Sequence, residues 1–203
     1  MAEMMIFGPD RFLLEPSREE VFSWLMCTEE LPCYRAFDTE WEAAVALLHA
    51  CISPYAAFVR ESENSMTVFI TLGPQAEAEI TRLFEAQHYV AASLLNTLCD
   101  EMLFQMDRQA AAIMEDVLAP EGLHIAARME PVVDLAPDDL SRLSRPLLDA
   151  FPDVRVTRQG MLFPTKSMMY CVSLSSTACD NEALHDCSRC SQTNCLYRTV
   201  RQS

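Results

Sequence analysis

The sequence predicts an α+β fold, a mostly antiparallel twisted sheet with flanking helices. Two strand-like runs, Tyr55 to Arg60 and Met66 to Leu72, are separated by the polar turn Glu61-Ser-Glu-Asn-Ser65, which reads as a hairpin. From about Tyr89 to Val117, apolar residues Val90, Leu94, Leu98, Met102, Met106, Ile113 and Val117 recur at four- or seven-residue steps, the stripe of a long amphipathic helix. Strands and helices then come in mixed order with that hairpin, the α+β pattern.

Taken in order, residues 1 to 16 read as a loose lead-in. Ser17 followed by Glu20 makes a capping box, and Val21, Trp24 and Leu25 continue at helical spacing. Pro32 and Cys33 close that unit. Thr39 is a second N-cap candidate, opening a helix from Trp41 to Ile52 through Val45 and Leu48 and ending before Pro54. Gly73-Pro74 opens a third helix with Ile80, Leu83 and Phe84 as its apolar face. On the long helix, Glu101 lies beside the apolar stripe and reads as an edge residue reaching solvent, with a ligand role as the alternative. Pro120 and Gly122 stop that helix. Leu123 to Met129 alternates as a strand, Asp134 to Pro137 is a loop, and Asp138 to Phe151 is helical with a break near Pro146. Two short extended pieces, Arg155 to Thr157 and Met161 to Phe163, precede Ser167 to Leu174, the clearest strand of the second half. The chain divides into a lead-in and helix (1–38), an α+β domain (39–178) and a cysteine-rich segment (179–203).

Composition narrows the function. At 203 residues, half of them hydrophobic and 22% charged, the chain supports one sizeable core. A net charge of -15 argues against nucleic acid as a partner. The charge is uneven: from Arg155 onward six basic residues face three acids, so the thiol-rich end is the electropositive one. Asp100 and Glu101 interrupt the best apolar run, so no membrane partner is expected, and the acidic start carries no secretory signal. Nine cysteines without an export signal imply reduced thiols and a cytoplasmic location. Cys27, Cys33, Cys51 and Cys99 stand in apolar or helical surroundings, most of them expected to be buried and inert.

The segment Cys187-Ser-Arg-Cys190-Ser-Gln-Thr-Asn-Cys195-Leu-Tyr-Arg198 crowds three thiols into one polar stretch. Cys187 and Cys190 can bite one metal from a single turn, and Cys195 supplies a third ligand. Zinc and an iron–sulfur cluster both accept soft thiolates, and the spacing leaves the choice between them open. A fourth ligand comes from Cys179, His185 or Cys171, or the position stays open. A reduced tail and a redox dithiol are the competing readings. His49, His88 and His124 have no spacing partner and read as structural. The twelve methionines read as core filler.

Several of these segments together resemble the reactivation domain of cobalamin-dependent methionine synthase, and more closely its small stand-alone relatives. They are Thr71-Leu72-Gly73 between strand and helix, the helix from Ala91 to Glu101, Arg128-x-x-Pro131, the run Val156 to Ser167 with its Pro164-Thr-Lys166-Ser167 core, and the terminal cysteines ending at Arg198. The resemblance spans most of the chain from about residue 40. It implies the activation-domain fold and an accessory role in corrinoid-dependent methyl transfer. A cobalamin-carrying methionine synthase or another corrinoid protein would be the partner, with cobalamin reaching the site through it. S-adenosylmethionine is the family's methyl donor, and Arg128, Lys166 and Ser167 are the residues carried over as its candidate contacts. One segment departs from the pattern. Where the family has Ser-Pro-Gly-Tyr-Gly, this chain reads Glu130-Pro131-Val132-Val133-Asp134, without the glycines that permit close backbone approach. That departure supports an alternative, a non-catalytic metal-binding adaptor that has lost S-adenosylmethionine.

Overall fold

A computed structural model describes residues 3–130, 134, 136–157 and 161–178. The α+β expectation holds: among the described residues five α-helices accompany a five-stranded antiparallel sheet and a small two-stranded ribbon. Strand β1 (Glu3–Phe7) starts the chain, followed by helices α1 (Arg18–Trp24) and α2 (Tyr34–Cys51). The hairpin β2 (Tyr55–Ser62) and β3 (Ser65–Thr71) leads to α3 (Pro74–Glu85) and the long α4 (Tyr89–Leu118). Then come β4 (His124–Met129), α5 (Pro137–Ala150), the ribbon strands β5 (Arg155–Val156) and β6 (Leu162–Phe163), and β7 (Ser167–Ser175). The sheet order is β1-β2-β3-β7-β4, every neighbouring pair antiparallel.

The sheet is covered on both faces, and the two-residue alternation of its strands sorts the core. Ala56, Phe58, Met66, Val68, Ile70, Tyr170 and Val172 face α2 and α4. Their neighbours Ala57, Val59, Phe69 and Met169 face Leu147 of α5 and Val154. Burial on both faces explains why β2 and β3 read as nearly unbroken apolar runs. Helix α4 is the spine of the larger layer, packing on α1, α2, α3, β3 and β4.

Four local expectations change. The lead-in is not loose: Glu3 to Phe7 pairs with Arg60 to Ala56, and Phe7 packs its ring on Phe58 at 4.9 Å. Helix α2 begins at Tyr34 rather than after Thr39, whose hydroxyl turns back to donate to Arg35 O at 2.7 Å. The added turn is held by Phe22, which meets Tyr34, Phe37 and Trp41 edge-on. Helix α5 runs unbroken through Pro146, because Leu143, Ser144 and Leu147 are buried and their packing outweighs the lost backbone bond. Phe84 is 43% exposed instead of joining the α3 core face, and lies near the ring of Tyr89. Half of the Ser17 capping box forms: Ser17 Oγ accepts from Glu20 N at 3.3 Å, while Ser17 N donates to Glu101 instead of Glu20.

Glu101 is the fifth correction. It is 1% exposed and does not reach solvent. With Gln105 and Gln109 it forms a side-chain ladder that holds the extended segment 12–17 onto α4. Gln109 accepts from Leu13 N and donates to Leu13 O, both at 2.8 Å. Gln105 does the same with Glu15, at 3.0 and 2.7 Å. Glu101 accepts from Ser17 N at 2.9 and 3.0 Å and from Gln105 Nε2 at 2.9 Å. Four helical residues rise about 6.0 Å and two extended residues about 6.6 Å, so the two polar rows stay nearly in step.

Candidate functional site

The end of β3 sets the site. Thr71 is fully buried and its hydroxyl is a junction. It donates to Lys166 O at 3.3 Å and accepts from Gly73 N at 3.1 Å and from Ser167 Oγ at 2.7 Å. Leu72 N donates to Lys166 O at 3.0 Å, extending the β3–β7 pairing by one step. Gly73 then turns the chain into α3 with φ 85° and ψ 167°, a region essentially reserved for glycine. A Cβ there would lie 3.3 Å from both Cβ and O of Ser53. Thr71-Leu72-Gly73 and Lys166-Ser167, far apart in sequence, are thus one hydrogen-bonded unit.

Lys166 passes from this unit to α4. Its side chain is 9% exposed, and Nζ donates to Asp100 Oδ1 at 2.6 Å and to Asn96 O at 3.2 Å. Beneath it, burial pushes the Cys99 thiol up to about 12, against a smaller lowering by Lys166, so Cys99 is inert. The segment before Lys166 contains a cis peptide at Phe163-Pro164, and Thr165 N donates to Glu77 Oε2 of α3 at 2.8 Å.

Arg128, on β4, meets α4 at Asp107, two turns beyond Asp100. It donates through Nη1 to both oxygens of Asp107 at 2.9 and 2.7 Å and pairs with Glu130 at 2.6 Å. Its guanidinium lies 3.6 Å over the centre of the Tyr170 ring. The side chains of Arg128 and Asp107 are 7% and 4% exposed. Burial and the Asp107 charge push the Tyr170 hydroxyl far up, so it stays protonated. Asp100 and Asp107, seven residues apart, share one face of α4 and neutralise the two cations singled out from sequence. An anionic ligand at Lys166 or Arg128 would have to displace one of these carboxylates.

On the other side of Phe163-Pro164 a groove of about 460 Å³ opens. Glu77, Ala78, Thr81 and Glu85 of α3 form one wall, and Asp153, Arg155, Phe163 and Pro164 the other. Arg82 also lines it but is held by Glu79 at 2.9 and 2.6 Å. The lining combines three carboxylates, the apolar Pro74, Ala78, Phe163 and Pro164, and Arg155, a set suited to a cationic or zwitterionic small molecule more than to a phosphate.

Among the described residues no group of three or more His, Cys, Asp or Glu side chains is placed to hold a metal. Cys179, Cys187, Cys190, Cys195 and His185 lie outside the described residues, as does Pro131-Val132-Val133. Cys171, the remaining option for a fourth ligand, is 5% exposed in mid-sheet, where burial raises its thiol and its sulfur sits 3.5 Å from Thr67 Oγ1. That position suits packing better than ligation. His124 approaches Glu115 at 3.4 Å in a surface pair. No described helix is long and apolar enough to cross a membrane.

Sequence reading singled out Arg128, Lys166 and Ser167 but missed Asp100, Asp107, Glu77 and Tyr170. A signal for the two aspartates was present: acids seven residues apart on a helix fall on one face, where shared buried partners can be sought. No family model and no curated protein matches the chain.

Proposed function

We propose that this protein is an accessory protein of corrinoid-dependent methyl transfer, related in design to the reactivation domain of methionine synthase. The carrying observation is convergence. Thr71-Leu72-Gly73, the α4 segment ending at Glu101 and Pro164-Thr165-Lys166-Ser167 resemble that domain independently, and they meet at the hydroxyl of Thr71 and the Lys166–Asp100 pair. Unrelated short matches have no physical reason to meet there. In this reading the C-terminal cysteines hold zinc or an iron–sulfur cluster. The groove beside Phe163-Pro164 has the charge balance for a zwitterionic sulfonium such as S-adenosylmethionine. The test is to mix the purified chain with cobalamin-loaded methionine synthase and follow the corrin absorption and complex formation. A spectral change with a stable complex is expected; the absence of both refutes the proposal.

A second reading rests on Arg128. Its guanidinium is enclosed by Asp107, Glu130 and Tyr170, so it offers no ready clamp for a ligand carboxylate. That favours a non-catalytic metal-binding adaptor that retains the fold without S-adenosylmethionine. Titration calorimetry separates the two: micromolar or tighter binding of S-adenosylmethionine rejects the adaptor, and silence supports it.

A further inference from the structure

We propose that Cys27 and Cys33 form a thiol–disulfide exchange site, which takes a small disulfide as substrate and closes into an intramolecular bond clasping α1 to α2. The two sulfurs lie 3.7 Å apart, the pair of thiols in direct contact among the described residues. A disulfide needs about 2.05 Å, so closure requires an approach of roughly 1.7 Å, within reach of side-chain rotation.

The backbone holds both thiols at fixed helix ends. Helix α1 ends in a Schellman motif: Met26 N donates to Ser23 O at 2.9 Å and Cys27 N to Phe22 O at 2.9 Å. Met26 occupies the left-handed position of that motif at φ 50°, a site that usually takes glycine. Cys27 is thereby turned inward, 5% exposed, in the core cluster that includes Phe22. Cys33 is exposed and stands at the N-cap of α2, its carbonyl accepting from Ala36 N and Phe37 N. The link between them is held in consecutive turns, Leu31 N to Thr28 O at 2.9 Å and Tyr34 N to Leu31 O at 3.0 Å.

This division of exposure assigns the roles. The exposed Cys33 thiolate attacks one sulfur of the small disulfide, forming a mixed disulfide and releasing one thiolate. Cys27 then gives up its proton and attacks the Cys33 sulfur, releasing the second. The two cysteines lose two electrons and two protons in all, and the small disulfide leaves as two thiols. Burial, with the adjoining Cys33, raises the Cys27 thiol, consistent with the later, resolving step. Cys51 instead donates to Leu48 O of its own helix, and the Cys171 sulfur sits against Thr67 Oγ1.

Glu29 and Glu30 lie in the link, so a neutral probe, hydroxyethyl disulfide, avoids charge repulsion. The reduced full-length chain is treated with excess probe, alkylated and mapped by peptide mass. The expected product is a Cys27–Cys33 bond, the joined peptide lighter by two hydrogens. Substituting Cys27→Ser, or Cys27→Ala if serine disturbs the packing, should leave Cys33 as the mixed disulfide with a lifetime extended roughly a hundredfold or more. Persistence of the mixed disulfide in the unsubstituted chain, a bond from Cys33 to another cysteine, or undiminished alkylation of both thiols each overturns the proposal.

Discussion

Replacing Glu101 by glutamine should change how stability depends on pH. The carboxylate is 1% exposed and receives Ser17 N at 2.9 and 3.0 Å and Gln105 Nε2 at 2.9 Å. Burial raises its pKa and dominates, the two donors lower it, Glu20 raises it and Arg108 lowers it, leaving it pushed up from 4.5 to about 7. The sign follows from proton counting. Between those values the folded chain keeps a proton that the unfolded chain has released, so rising pH favours unfolding. The stabilising contribution is complete below about pH 4.5 and is lost as pH rises through about 7. At about 1.4 kcal/mol per pKa unit, the displacement amounts to roughly 3 kcal/mol. Glutamine keeps an acceptor for Ser17 N but does not titrate; any mismatch of its amide with Gln105 is the same at every pH. Urea unfolding of both proteins from about pH 4.5 to about 8 gives the comparison. Wild-type stability minus variant stability should fall by roughly 3 kcal/mol over that range. A difference flat to within about 0.5 kcal/mol, or one that rises with pH, refutes the reasoning.

Other substitutions probe the rest of the site. Gly73→Ala places a Cβ 3.3 Å from Ser53 Cβ and O at a φ of 85°, and should cost about 1–3 kcal/mol in denaturant unfolding; an unchanged midpoint would mean the turn has another conformation. Arg128→Met leaves Asp107 buried without its charged partner and should cost about 3–5 kcal/mol. Adding Asp107→Asn should recover part of that loss; simple additivity would show that the pair is not coupled. Lys166→Met should cost less, about 1–3 kcal/mol, because the Asp100 side chain is 21% exposed and water can take over its oxygen. A loss equal to that of Arg128→Met would contradict this ranking by burial.

Regular elements were legible where period and punctuation agreed. The β2–β3 hairpin and α4 carry long patterns that only one geometry satisfies, and Gly73-Pro74 starts α3 where the backbone demands it. The misses share a cause: tertiary partners supplied what the local sequence lacked. Strand β1 has five residues of mixed burial and no alternation, and it exists because β2 offers a free edge. The first turn of α2 depends on Phe22, a residue of the preceding helix. Pro146 is tolerated because its neighbours pack on the sheet. Glu101 looked like an edge residue because one partner is the backbone N–H of Ser17, in a segment remote in sequence, and the other is the Gln105 side chain. The expected metal site belongs to another category, since its four candidate cysteines lie outside the described residues.

Helix α4 ties these observations to function. One face presents Glu101, Gln105 and Gln109 to the backbone of segment 12–17, and another presents Asp100 and Asp107 to Lys166 and Arg128. Every strongly basic group the sequence offered as an anion contact is therefore already matched by a carboxylate on the same helix. Removing that carboxylate to admit a ligand anion would expose a poorly solvated charge, a cost set by burial and greatest at Asp107. The groove along α3 carries no such obstacle to a positive charge, because Glu85 and Asp153 flank it and Arg82 is held by Glu79. Under the proposed function, the charges of this groove would favour a positively charged ligand. A sulfonium or an ammonium meets that condition without displacing any pair in the core, whereas a phosphate would face three carboxylates for the single gain of Arg155.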